Sequence, residues 1–555
     1  MKPEGASYLP HVCGIMLCWM AIMILCGPVI AGLTWPDATL SYTTEAGQSI
    51  VVLDEIIPET MAAALRNYVL RFSRWKLRGA PETRTYQTTA QGCTPNDTSP
   101  WTAQLSSRFH KNACFLKDVV HVSSPKLENF IPCGVQAEIL RRGDSTEVSC
   151  GQGQDTDYSW RVFLTPDWQI NDYGDLIFYS RNDVGSENQD AMLTVTPRMG
   201  RIVLWDSSLL TLYHPPSMGY IQGLLSISGK LKCKDSAHHR AKQDKFVDTE
   251  PTPQPSFSSA LAQSGEVLDF AEKQVQKFYD SRGKTIAVYD NLFSAIDLEQ
   301  LQQDLAAQGE TGYLAYDLQQ DEDVDNAQWV KSFNVDKFVT SAVWKRMSDV
   351  TRHASGNRTT WHPYDVSLNI VRSADHTRIH QDCDEWEDEY TLVLYLNPDW
   401  HPEFYGETVF FEAVPGSQLS RQLYGLNGET EYQPFASVLP KYGRLAVFQG
   451  IIPHSARPPG SLFTGARYTF AVKVSLTRKI ALAKRLQETL EDGFEELAGD
   501  EQQLLEDLIS GDYNRELSFR SEEWLEKRLH ETLQKAAEVK QNDKSQLESA
   551  IFTCE

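Results

Sequence analysis

The chain lacks any Cys-x-x-Cys pair, so neither a zinc knuckle nor a thioredoxin-type redox site is indicated. It is also short of positive charge: 52 Lys and Arg stand against 75 Asp and Glu, a net charge of -23. That argues against a nucleic-acid partner, because affinity for a phosphate backbone needs clustered basic side chains. Nor does it have the composition of a disordered chain, with 41% of its 555 residues hydrophobic and 23% charged. The length gives room for about two to four domains, each able to bury its own core.

What is present begins at the N-terminus. Val12–Gly32 carries no charge and is long enough to cross a bilayer. Val12–Cys26 alone has the form of a signal-peptide apolar region, with a break at Gly27-Pro28 and small residues at Ala31-Gly32 for cleavage. Residues 1–32 are therefore expected to be a signal peptide or a signal anchor; membrane anchoring through residues 12–32 is the second case. Both send the rest into the secretory pathway, to the endoplasmic reticulum lumen or the luminal face of its membrane. The sequons Asn96-Asp97-Thr98 and Asn357-Arg358-Thr359 agree with a glycoprotein. The cysteines agree with a luminal address: five of the seven beyond the N-terminal segment (Cys93, Cys114, Cys133, Cys150, Cys233) lie in one region, a density that suits disulfides in an oxidising compartment.

The chain repeats itself. SIVVLDEIIPETMAAALRNYVL from Ser49 reads like TIAVYDNLFSAIDLEQLQQDL from Thr285. DYSWRVFLTPDWQINDYGDLIFYS from Asp157 matches EYTLVLYLNPDWHPEFYGETVFFE from Glu389, and GRIVLWDSSLLTLYHPP from Gly200 matches GRLAVFQGIIPHSARPP from Gly443. Three ordered matches at a nearly constant offset imply two copies of one domain. In the second copy Ser294 and Asp297 have the spacing of a capping box, and Leu298, Leu301 and Leu305 fall on one helical face.

Short β-rich runs separated by Gly, Pro and Asp follow a helix in each copy, which is the pattern of a jelly roll with helices on one side. The expected fold class is mainly β with flanking helices (α+β): two double-stranded β-helix, or jelly-roll, domains plus a C-terminal helical segment. The boundaries read 33–235 for the first domain, 236–265 for a polar Pro- and Ser-rich linker, 266–478 for the second domain and 479–555 for a helical tail. The tail shows amphipathic spacing with breaks near Gly493, Gly499 and Gly511. It is expected either to pack on the preceding domain or to form a homo-oligomer through a helical seam.

The second copy carries a candidate metal site. Fe(II) held by two histidines and one carboxylate on one face leaves positions open for substrate and O2. His380-Gln381-Asp382 precedes the strand TLVLYLN, and residues two apart on extended backbone face the same way. The late strand GRLAVFQG leads to IIPHSARPP, which offers His454 as the third ligand. ARYTFAVKV then begins with Arg467, whose planar fork suits a carboxylate.

His-x-Asp, YLNPDW, YGETVFF, GRLAVF…PH and RYTFAVKV, in that order, resemble the catalytic domain of prolyl-4-hydroxylase-type oxygenases dependent on Fe(II) and 2-oxoglutarate. The resemblance covers about Thr285 to Leu476 and, more faintly, the first copy. It implies His380, Asp382 and His454 as iron ligands and catalytic residues, with Arg467 and Tyr395 on the far carboxylate of 2-oxoglutarate. Arg457 is the fallback for Arg467, because the interval from His454 to Arg467 is a few residues longer than usual. O2 is the implied co-substrate and ascorbate the implied helper. The implied activity is hydroxylation of a protein or peptide side chain, proline first by analogy, with lysine or a small molecule as alternatives. A non-catalytic luminal binding or scaffolding protein is the rival from another class.

Bland readings attach to several neighbours. His376 fits no role by its spacing, while Cys383, Asp384, Glu385, Glu387, Asp388 and Glu389 read as a solvated loop at the mouth. The first copy acts as an internal control. Val148 and Cys150 stand opposite His380 and Asp382, Phe163 opposite Tyr395, Thr211 opposite His454 and Leu224 opposite Arg467. The first copy is therefore expected to keep the architecture without the iron site.

Overall fold

The computed structural model describes residues 39–73, 75–77, 101–105, 130–141, 144, 158–166, 168–179, 191–217, 223–233, 257–261, 268–308, 310–315, 327–357, 359–373, 375, 377, 379–383, 388–414, 431–460, 463, 465–491 and 520–552. Outside the described residues lie Val12–Gly32, Asn96–Thr98, Cys93, Cys114, Val148, Cys150, His376, Asp384, Glu385, Glu387, Gly493, Gly499 and Gly511. No described helix is long and apolar enough to cross a membrane.

The first half contributes strands β1 (Leu40–Thr43), β2 (Ser49–Leu53), β3 (Lys76–Leu77), β4 (Trp101–Gln104), β5 (Phe130–Leu140) and β6 (Tyr158–Phe163). It continues with β7 (Leu176–Tyr179), β8 (Ala191–Val195), β9 (Ile202–Asp206), β10 (Leu210–Tyr213) and β11 (Leu224–Cys233). The second half contributes β12 (Gln274–Tyr279), β13 (Thr285–Tyr289), β14 (Glu310–Ala315), β15 (Ala327–Ser332), β16 (His362–Arg372) and β17 (Glu389–Tyr395). Its last strands are β18 (Thr408–Ala413), β19 (Tyr432–Val438), β20 (Leu445–Gln449), β21 (His454–Ala456) and β22 (Ala466–Ser475).

Each half builds one eight-stranded and one three-stranded antiparallel sheet. The large sheets run β1-β2-β9-β6-β11-β5-β4-β3 and β12-β13-β20-β17-β22-β16-β15-β14; the small ones run β10-β7-β8 and β21-β18-β19. Strand for strand, the two orders coincide. In each half a small apolar core fills the space between large and small sheet, around Phe163, Phe178 and Leu224 in the first and around Tyr395, Phe410 and Phe448 in the second.

The repeated sequence has a physical basis in paired charges. β2 and β13 are each followed by an aspartate, and each aspartate takes a fork from the Gly-Arg that opens the neighbouring strand. Arg201 meets Asp54 at 2.7 and 2.9 Å, and Arg444 meets Asp290 at 2.9 and 3.0 Å. The helices α1 (Glu59–Phe72) and α2 (Ala295–Ala307) follow, burying Leu65 and Val69 in one case and Leu298, Leu301 and Leu305 in the other. The Ser294–Asp297 capping box is formed. Gly443 is required at its turn: φ is +75°, and a Cβ there would lie 2.7 Å from Leu298 Cδ1.

Helix α3 (Ala342–Ser355) covers the second half, and its C-terminal Gly356 takes the left-handed conformation just before the sequon at Asn357. The stretch expected to be a linker is not wholly detached. Phe257 and Leu261 are buried, and Phe257 packs edge-on against Phe333 and Phe338. Apolar side chains in a polar segment dock where a core can take them, which sequence composition averages out.

In the tail, α4 (Arg478–Glu491) and α5 (Glu522–Phe552) pack together through Leu486, Leu490, Leu525 and Leu529. The far end of α5 reaches α1, where Phe552 meets Tyr68 and Asp543 meets Arg71 at 3.1 Å. These described contacts are all within the chain.

Candidate metal centre

His380 and His454 are brought together by backbone pairing. The N–H of each donates to the carbonyl of the other at 2.9 Å, which sets the two rings 4.4 Å apart. Asp382 N–H donates to the Gly450 carbonyl at 2.9 Å. Gly450 permits that approach, because a Cβ on it would sit 2.9 Å from Cys383 Sγ and 3.3 Å from Asp382 Cβ.

One donor atom from each of His380, Asp382 and His454 lies within 4.8 Å of the others, and no other such group of three occurs among the described residues. His454 Nε2 is 3.4 Å from Asp382 Oδ2, and His380 Nε2 is 3.8 Å from Oδ1. Octahedral donors at bonds of about 2.1 Å lie about 3 Å apart. The separations here reach up to 4.8 Å, and His380, whose side chain is 47% exposed, is the most open of the three donors. The donor set of two imidazoles and one carboxylate fits Fe(II) with open positions.

The protonation states suit ligation. His454 Nδ1 lies 3.0 Å from the Ile452 carbonyl, so it carries the proton and Nε2 keeps its lone pair for a metal. Burial, with His380 beside it, brings the His454 ring down to about 4, so it is neutral near pH 7. Burial pushes the Asp382 carboxyl up, but Lys473, His454, His380 and a hydrogen bond from Thr391 outweigh it and hold the group well below the usual carboxylate range.

Two of those partners were not found in the sequence. Thr391 Oγ1 donates to Asp382 Oδ2 at 2.6 Å, and Lys473 Nζ sits 3.2 Å from Oδ1. Thr391 and Lys473 are themselves cross-strand partners on β17 and β22. Asp382, with Asp365 on its other side, keeps the Lys473 ammonium firmly charged.

Arg467 is 1% exposed. Its Nη2 donates to Thr408 Oγ1 at 2.8 Å, while Nε and Nη1 have no hydrogen-bond partner among the described residues. Tyr395 donates its hydroxyl to the same Thr408 oxygen at 2.7 Å, and its ring lies 5.3 Å under the guanidinium. Two buried N–H groups left unanswered on a fixed cation call for an acceptor, and a carboxylate answers the charge. The fallback, Arg457, is exposed and sits over the Phe411 ring.

The acidic loop needs one correction. Glu389 is not on a solvated rim but begins β17, 2% exposed, accepting a hydrogen bond from Tyr364 at 2.6 Å and forming an ion pair with Lys484 at 2.8 Å. A charge can be buried when it is paired on both oxygens, and composition alone gives no sign of that. Asp388 remains exposed.

The first half presents different chemistry in the same register. Thr211 pairs with Phe178 as His454 pairs with Phe410. Phe163 pairs with Ser226 as Tyr395 pairs with Thr469, which sets Leu224 level with Arg467. Val148 and Cys150 lie outside the described residues.

No family model matches the sequence, and no curated protein matches it. Solved structures do resemble part of it. One is an oxidoreductase of the 2OG-Fe(II) oxygenase family from Burkholderia pseudomallei, 14% identical at a TM-score of 0.24, covering 35% of this chain and 86% of that one. Another is a Pseudomonas putida prolyl-4-hydroxylase, 15% identical at 0.24, covering 35% and 92%. A third is a Trichoplax adhaerens prolyl hydroxylase in complex with a hypoxia inducible factor oxygen degradation domain peptide fragment, 14% identical at 0.24, covering 36% and 85%. At those scores the likenesses carry no weight for activity. The side chains do: an antiparallel β fold brings two imidazoles and a carboxylate together and buries in the same half a guanidinium whose Nε and Nη1 have no partner among the described residues.

Proposed function

We propose that the chain is an Fe(II)- and 2-oxoglutarate-dependent oxygenase that hydroxylates a protein side chain, prolyl first, in the secretory pathway. The observation that carries this reading is the combination of the His380–Asp382–His454 donors with the orphaned N–H groups of Arg467. A metal site alone would serve many chemistries; the buried cation adds a demand for an anionic co-substrate.

Bound iron, with 2-oxoglutarate and O2, supplies the power to insert oxygen into an unactivated C–H bond. The protein's part is geometry. His380, Asp382 and His454 would hold the metal, and Thr391 and Lys473 fix the Asp382 carboxylate. Arg467 would meet the far carboxylate of 2-oxoglutarate with a free N–H, while Thr408, which takes the Nη2 hydrogen bond, and Tyr395 brace the guanidinium. Phe410 and Phe448, packed against His454, keep water from that side.

The first half is proposed to be a copy of the same domain that has lost this chemistry. Ascorbate as reductant, delivery to the endoplasmic reticulum through Val12–Gly32, and a peptide substrate belong to the same proposal. Its test is oxygen-dependent conversion of 2-oxoglutarate to succinate, stimulated by proline-containing luminal peptides. The wild type is expected to turn over and His454→Ala to be inert. Succinate release that survives His454→Ala would overturn the reading.

A further inference from the structure

Two crossed ion pairs join the halves. Arg141, directly after β5, places Nη1 2.5 Å from Asp375 Oδ1 of the second half. Arg372, the last residue of β16, pairs with Asp144 of the first half. All four side chains are buried. Each aspartate also closes the turn after its own strand: Asp144 Oδ2 accepts the Arg141 N–H and Asp375 Oδ2 the Arg372 N–H, both at 2.8 Å. Beside them Trp101 and Trp329 stack with ring centres 3.8 Å apart. Those tryptophans hold matching register positions, opposite Ile139 and Ile370. The interface thus has the form of a two-fold contact between unequal partners.

The inequality lies in what the two turns lead to. Beyond Asp375 the chain passes Thr377, whose carbonyl accepts from Ser455 Oγ at 2.9 Å, and reaches His380 and Asp382. One residue before Arg372, Val371 is the cross-strand partner of Arg467. Arg141 therefore grips, from the other half, the turn that joins the strand beside Arg467 to the segment bearing two of the three donors.

Resting on the reading that His380, Asp382 and His454 hold a metal, we propose that Arg141 is a positioning residue for that centre. The first half sets the coordination geometry of the second. A buried carboxylate deprived of its guanidinium partner draws in water or shifts, and the Asp375 turn shifts with it. Coordination tolerates displacements of only about half an ångström before affinity falls.

The test is a Co(II) titration of the full-length, metal-free protein, read by visible absorption, with thermal unfolding alongside. Arg141→Met should weaken Co(II) binding about tenfold, in the range found when outer partners of metal ligands are removed. Arg141→Lys should recover most of that loss. Trp101→Leu, which loosens the same interface without touching the turn, should lower the melting temperature at least as far yet bind Co(II) within about twofold of wild type. If Arg141→Met does not fold, Asp375→Asn is expected to give the same loss of affinity. The proposal is overturned if either turn variant binds Co(II) like wild type, or if Trp101→Leu loses as much affinity as Arg141→Met. A wild type that binds Co(II) but not 2-oxoglutarate overturns the oxygenase reading instead.

Discussion

Leu224 and Arg467 hold the same register position in the two large sheets, each two residues ahead of the partner of Phe163 or Tyr395. Each also faces the matching glycine: a Cβ on Gly174 would lie 1.9 Å from Leu224 Cδ1, and one on Gly406 would lie 3.3 Å from Arg467 Cδ. One half fills that place with an alkyl group packed among Phe163, Phe178 and Trp205. The other fills it with a cation that has two N–H groups unanswered among the described residues.

Arg467→Leu should convert the second site to the chemistry of the first. Each unsatisfied buried donor costs about 1–3 kcal/mol, so the metal-free variant should melt no lower than wild type. Binding of 2-oxoglutarate should fall by more than about a hundredfold, while Co(II) binding is kept. Calorimetric titration of both ligands checks this.

Gly450→Ala should push the His-x-Asp segment away, since the new methyl would meet Cys383 and Asp382. Melting should fall modestly, by about 1–3 kcal/mol of stability. Co(II) affinity should drop by about tenfold or more. An unchanged affinity would mean that the segment closes on the metal by another route.

Lys473→Met should destabilise the metal-free protein and spare the loaded one. It removes the ammonium between the buried Asp382 and the partly exposed Asp365, leaving two carboxylates that repel; the cost falls below the roughly 3–5 kcal/mol of breaking a fully buried pair. A bound dication replaces the lost charge. The rise in melting temperature on adding Co(II) should therefore be larger in the variant than in wild type.

Asp290→Asn probes the fork from Arg444. Burial pushes the Asp290 carboxyl up, but Arg444 and Lys441 outweigh it, so its folded value lies below the ordinary one. A depressed carboxyl contributes stability that is fully present above the unfolded value of about 3.9 and is lost as pH falls through the folded value. Wild type should exceed the variant in urea midpoint at pH 7, and the gap should narrow only below about pH 4. A gap that persists unchanged at lower pH would contradict the assignment.

Much of the site was legible because its parts follow one-dimensional rules. Two candidate donors two residues apart on extended backbone share a face, and the third opens a strand after a recognisable Gly-Arg run. The aspartates at the ends of β2 and β13 stood out as a repeat before their arginine partners gave the reason. Thr391 and Lys473 were hidden because their convergence on Asp382 depends on the register of β17 against β22, which spacing does not fix. Glu389 was misread for a related reason: its carboxylate is buried by Lys484 and Tyr364, far along the chain or on another strand. The link from Arg141 to Asp375 needed the two halves set face to face.

The most direct test of the account is anaerobic addition of Fe(II) and 2-oxoglutarate to the purified protein, read in the visible spectrum. The wild type should develop the weak charge-transfer band of a metal-chelated 2-oxo acid, and His380→Ala with Asp382→Ala should abolish it. A wild type without the band, or a double variant that keeps it, would contradict the assignment of His380, Asp382 and His454 as the iron site.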